Sequence, residues 1–145
     1  MKPTLNNPVK ATWQGRPPHM SSNDFEIWMS YREILPEEIK ILYFDVAVGD
    51  PVLFAEGLEE EMQRVVNQVT RRRIDVVAET DKEWVIIELR WNAGPGAIGS
   101  VLTYQELWKM DPPDNKPVKT RIVTNYPDIN ILKACKALNI ELEVV

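Results

Sequence analysis

The sequence predicts an α/β domain, a central mixed β-sheet with helices on both faces. Three observations carry this. Over 145 residues the elements run helix, strand, helix, hairpin, helix, strand, helix, strand. Two neighbouring stretches, Ile74 to Glu79 and Trp84 to Arg90, alternate with the period of two that a strand requires. The strand–helix–strand units after them need crossover connections, which bring helices onto the faces of the sheet.

Length and composition suit one soluble domain with a real core: hydrophobic content is 44% and charged content 27%. No apolar run approaches the roughly 20 residues that span a bilayer, and the first residues lack the pattern of a signal peptide. A single Cys135 and a single His19 exclude an internal disulfide, a Cys/His zinc site and a Cys–His nucleophile pair. The net charge of −5 is a poor starting point for gripping a phosphate backbone. Arg71, Arg72 and Arg73 form one basic cluster, but on a strand they point to alternate faces.

Residues 1–20 hold four of the eleven prolines and show no periodicity, so they read as an extended arm ahead of a domain over 21–145. Such an arm is ordered only when something holds it. Val9 and Trp13 are the candidate anchors, on the domain's own flank or on a neighbouring subunit, and the neighbour is the adopted expectation. From Ser21 a helix is expected, with Phe25, Trp28, Met29 and Arg32 on one face and Pro36 ending it. Lys40 to Val48 reads as a strand stopped at Gly49-Asp50-Pro51. Asp45 within it is a carboxylate that a metal site could use, or an exposed strand residue.

Glu56 to Val69 reads as an amphipathic helix burying Leu58, Met62, Val65, Val66 and Val69, with Glu59, Glu60 and Glu61 favouring its N-terminal turn. After the hairpin, Asn92 to Gly96 bends the chain, and Ala97 to Met110 forms a helix burying Ile98, Val101, Leu102, Leu107 and Trp108. Val118 to Thr124 is a strand. Ile129 to Leu138 is a helix turning Ile129, Leu132 and Cys135 or Lys136 to the sheet, and Ile140 to Val145 is a final strand.

The chemistry concentrates in Arg71 to Trp108. With Asp81-Lys82 as a two-residue turn, Asp75 stands opposite Glu88 and Arg73 opposite Arg90. Facing carboxylates about 5 Å apart repel one another. Either a divalent ion holds them, or the two arginines neutralise them in a four-residue ionic cluster.

An Asp on one strand, Glu-x-basic on the next, then a loop and a helix, resembles the PD-(D/E)xK nuclease superfamily with its restriction-endonuclease-like fold. The string RIDVVAET…WVIIELR…GSVLTYQELW is similar to small members encoded by tailed bacteriophages. The resemblance implies that Asp75 and Glu88 bind Mg2+, with Glu33 or Glu61 as a further acid from an early helix. Arg90 stands where active members carry a lysine, and Ser100 is nearest to where many carry a glutamine. A guanidinium stays charged and cannot shuttle a proton as lysine does.

Two functions follow. One is a catalytically degenerate protein without a cofactor, a structural connector of a tailed-phage particle whose arm contacts neighbours, in the virion or host cytoplasm. The other is a Mg2+-dependent nuclease using Asp75, Glu88 and Arg90. A third, a nucleic-acid-binding pseudo-enzyme, would use Arg71 to Arg73.

Overall fold

The computed structural model describes residues 1–51 and 57–145, apart from the side chains of 67–69. In chain order the elements are β1 (Val9–Lys10), α1 (Ser22–Arg32), β2 (Ile41–Val48), α2 (Glu60–Thr70), β3 (Arg72–Glu79), β4 (Trp84–Arg90), α3 (Pro95–Met110), β5 (Val118–Thr124), α4 (Ile129–Ala137) and β6 (Glu141–Val144). The strands form one six-stranded sheet in the order β1-β2-β3-β4-β5-β6. The first four pair antiparallel; β4–β5 and β5–β6 pair parallel, joined by α3 and α4. This is the mixed sheet that the alternation of elements predicts.

Two apolar layers sandwich the sheet. On one face Ile27, Trp28 and Tyr31 of α1 pack with Leu42, Val76, Ala78, Val85, Ile87 and Leu89. On the other, Trp108 of α3 joins Val46, Val48, Ile74, Val77, Trp84 and Ile86. Beside it Ala97 and Val101 meet Ile122 and, from α4, Ile131 and Cys135. The alternation read from β4 therefore holds: Trp84 and Ile86 face one layer, Val85, Ile87 and Leu89 the other.

Three helix faces differ from expectation. In α1 the buried residues are Ile27, Trp28 and Tyr31, and Met29 is exposed. Tyr31 is drawn in because its hydroxyl accepts from the buried Arg121 at 2.7 Å. In α4 Ile131 and Cys135 are buried, whereas Ile129 and Leu132 are exposed. Asp128 accepts from the main-chain nitrogens of Asn130 and Ile131, fixing the start of the helix and hence its phase.

The stripe expected on α2 is the largest correction, because Leu58, Met62 and Val65 are exposed. The reason is topological. A helix between parallel strands must cross over the sheet, but α2 joins the antiparallel neighbours β2 and β3, which need no crossover. Val69 lies among the side chains outside the description.

The N-terminal arm is held by its own domain. Val9 and Lys10 pair with Leu42 and Ile41 as an edge strand, and Trp13 packs on Phe44 with ring centroids 5.5 Å apart. Thr4 N–H donates to the Ala47 carbonyl at 2.9 Å. Buried Arg71 clamps the same segment through Thr4 Oγ1 and the Lys2 carbonyl, each at 2.7 Å. Val9 and Trp13, the expected anchors, thus contact β2 of their own domain and remain partly exposed. The unpaired edge of β2 was available to be covered.

Candidate active site

The hairpin forms in the expected register. Thr80 N–H donates to the Glu83 carbonyl at 3.0 Å across Asp81-Lys82, and the Thr80 hydroxyl accepts from Glu83 N–H at 2.9 Å. Pairing runs from Glu79↔Trp84 to Val76↔Ile87. There the β3–β4 ladder stops, at the step that would bring Asp75 opposite Glu88. Leu89 N–H bonds to the Asp75 carboxylate at 2.9 Å, so a side chain takes the place of a ladder carbonyl. Where the strands part, room opens between them for acidic side chains that a closed ladder would force apart.

Arg73 does not join this pair. Its Nη1 lies 3.7 Å from Asp45 Oδ2 and donates to the Asp45 carbonyl at 3.2 Å. Asp45 has a φ of 52°, a left-handed kink in β2 where Asp is one of the few side chains tolerated. The side facing α3 switches there, from Tyr43 before the kink to Val46 and Val48 after it. The expected four-residue cluster is therefore divided. Asp45 and Arg73 pair with each other, and Asp75 and Glu88 are left with Arg90.

Glu88 is 4% exposed, in the centre of the sheet. Arg90 Nη2 reaches its Oε2 at 2.5 Å and Ser100 Oγ at 3.5 Å. Burial pushes the Asp75 carboxyl up to about 8; the charge of Glu88 and a hydrogen bond to Glu88 add to this, while Leu89 N–H acts against it. At neutral pH Asp75 therefore keeps its proton and donates it to Glu88. One guanidinium faces two acids, and a proton supplies the missing positive charge.

Sequence reading missed two members of this site. Asp24, in the first turn of α1, is near enough for the charges of Glu88 and Arg90 to act on it. Burial first, and then Glu88, raise its carboxyl above the ordinary value. Its position is set by Ser21, whose Oγ caps the Asp24 N–H at 3.1 Å. The cap at Ser21 fixes where the helix starts, but nothing local says which strand Asp24 will face. Tyr104, one turn after Ser100, is the second; burial and the charges of Glu88 and Asp75 raise its hydroxyl. Glu33 and Glu61, the alternative candidates for a further acid, are both exposed, in keeping with the reading of each as part of a solvated helix face. Glu33 is the C-cap of α1, at the opposite end from Asp24.

The donor set fits a small hard cation in kind: the carboxylate oxygens of two neighbouring acids, which such ions prefer. Among the described residues no three acidic, histidine or cysteine side chains converge as a ready-made cage. Mg2+ commonly uses one or two carboxylates and keeps its waters, so two acids such as Asp75 and Glu88 would be enough to hold it.

No family model matches the chain, and no curated protein is similar to it. Solved structures are. A protein of unknown function superposes with a TM-score of 0.53 at 18% identity, over 83% of this chain and 57% of that one. EndoMS, in a complex with double-stranded DNA, gives 0.50 at 16% identity, over 92% and 48%. A repair endonuclease from Pyrococcus abyssi gives 0.45 at 17%, over 67% and 38%. The chain thus spans about half the length of the structures it matches. The layout is that of an α/β domain built on a mixed sheet. Its fold is restriction-endonuclease-like.

Proposed function

We propose that the chain is a divalent-metal-dependent nuclease domain that hydrolyses phosphodiester bonds, with Asp75 and Glu88 as metal ligands. The observation that carries this is the charge imbalance left when Arg73 turns to Asp45: two adjacent acids at the centre of a sheet share one arginine and a proton. Burying such a pair is costly unless a cation repays it. A bound Mg2+ would neutralise phosphate charge and activate water. Asp75, once deprotonated, and Glu88 would hold the ion, and the Glu88 oxygen that faces Arg90 would stay with the guanidinium. Half-exposed Arg90, which never loses its charge, would hold a phosphate oxygen rather than move a proton. Asp24 adds negative charge within electrostatic reach of Glu88 and Arg90. Double-stranded DNA in the EndoMS structure supports DNA as the substrate class.

The test is incubation with supercoiled and linear DNA in Mg2+ or Mn2+. Cleavage that needs the metal and is lost in both Asp75→Asn and Glu88→Gln supports the proposal. No cleavage, together with no metal binding by calorimetry, overturns it.

One observation favours a second reading. The Arg90 guanidinium sits directly on Glu88, where it competes with a metal for that carboxylate. A domain that has given up catalysis would serve as a structural component, and the resemblance to tailed-phage proteins suggests a connector in a virion. Assembly of particles with a catalytically silent Asp75→Asn chain would support it.

A further inference from the structure

Away from the acidic pair, the arm and the sheet enclose a cavity of about 600 Å3. Although the chain is acidic, four of its eight arginines line this one space: Arg16, Arg64, Arg71 and Arg73. Among the described residues Asp45 is the carboxylate in the wall. The rest is polar or apolar, including Val9, Trp13 and Phe44. Trp13 and Phe44 are braced against each other, forming a fixed aromatic wall.

Arg71 is the least expected of the four. It is 7% exposed, and its three hydrogen bonds all go to neutral oxygens: the Gly49 carbonyl at 2.6 Å, Thr4 Oγ1 and the Lys2 carbonyl. Buried guanidinium is ordinarily matched by a carboxylate. Here burial and the charge of Arg73 lower its proton affinity, and the charge of Asp50 acts in the opposite direction without a hydrogen bond to the guanidinium among the described residues. Among the described residues Arg64 on α2 pairs with exposed Glu60 at 3.1 Å, an interaction of little strength that a better anion would displace.

We propose that this cavity binds a phosphate-bearing ligand of nucleotide size, its phosphate on Arg64, Arg71 and Arg73 and its apolar body along Trp13 and Phe44. The space matches the range of small-molecule sites, and the combination of an apolar wall with a few converging polar groups is what such sites present. Arginine suits phosphate because its planar fork donates two parallel bonds. The same chemistry belongs to a free mononucleotide and to the end nucleotide of a single strand. The cavity is separate from the acidic pair, so the inference does not rest on the nuclease reading.

Isothermal calorimetry on the whole chain tests it, with dAMP, deoxyadenosine, inorganic phosphate and a 5′-phosphorylated tetranucleotide as probes. Saturable binding of dAMP, at least tenfold tighter than of deoxyadenosine or phosphate, is expected and identifies a free nucleotide. Binding of the tetranucleotide with the same preference for the 5′-phosphate, and none of dAMP, also supports the site and assigns it to a strand end. Arg64→Ala should weaken binding roughly tenfold, the worth of one charged hydrogen bond. Arg73→Gln should do the same, with circular dichroism unchanged in both. Asp75→Asn should leave binding intact, which separates this site from the metal pair. No saturation with any probe overturns the proposal. So does equal binding of phosphate and dAMP, or binding indifferent to both arginine variants.

Discussion

Arg90 Nη2 lies 2.5 Å from Glu88 Oε2, a pair formed within one strand between residues two apart. They share a face because side chains alternate. Arg90 is half-exposed while Glu88 is buried. Truncating the arginine therefore leaves a buried acid beside Asp75 with no cation. Arg90→Ala should cost about 1–3 kcal/mol, a fall in Tm of about 3 °C per kcal/mol for a chain of this size. Added Mg2+ should restore part of the loss, read by calorimetric melting with and without the ion. Arg90→Lys should keep most of the stability and free Glu88, raising metal-dependent cleavage if the nuclease reading holds.

The proton on Asp75 makes stability depend on pH. Its ordinary value is 3.8 and its folded value about 8. Below about pH 4 both folded and unfolded chains hold this proton, and the contribution is complete. Between those values only the folded chain holds it, so stability falls as pH rises and the contribution is gone above about 8. Tm without metal should decline from pH 5 to pH 8.5, and Asp75→Asn should flatten that decline.

On the proposed reading, a metal ion on Asp75 would compete with this proton. Below pH 8, each Mg2+ bound should displace close to one proton. Calorimetric titration in two buffers of different ionisation enthalpy measures the number directly. Affinity should strengthen up to tenfold per pH unit and level off above about pH 8.

A second buried ionic cluster should be structural only. Arg121 sits opposite Glu141 across β5 and β6 and bonds to its carboxylate, while its Nη1 donates to the Tyr31 hydroxyl. Tyr31→Phe removes one acceptor and should cost about 1–2 kcal/mol by urea unfolding. Neither metal affinity nor cleavage should change.

Gly49 follows β2 at a φ of +76°, and a Cβ there would lie 2.9 Å from Leu107 Cδ1. Gly49→Ala combines left-handed strain of roughly 1–2 kcal/mol with displacement of Leu107. The Gly49 carbonyl also accepts from Arg71, so loosening this turn should disturb the arm. Limited proteolysis near residue 10 should accelerate in the variant.

Much of the fold was legible because it rests on local rules. The Asp81-Lys82 turn and the alternation on either side set the β3–β4 register, and the ladder follows it from Glu79↔Trp84 to Val76↔Ile87. Helix phases were less legible. The apolar residues of α4 admit more than one face, and Asp128 with the tertiary fit selected Ile131 and Cys135. On α2 a clear stripe was present, but amphipathicity states only that a face can be buried, not that a neighbour will cover it.

The candidate site divides along the same line. Asp75, Glu88 and Arg90 were readable because they lie on two strands joined by one turn, where geometry propagates residue by residue. That Arg73 would leave them for Asp45 depended on a kink in β2 and on the β2–β3 register, a pairing across a 23-residue connection. Asp24 reached the site only because α1 packs over β4. Sequence can encode spacing along a strand; which distant side chains share one low-dielectric space is decided when the layers close, because only then do burial and charge act on them together.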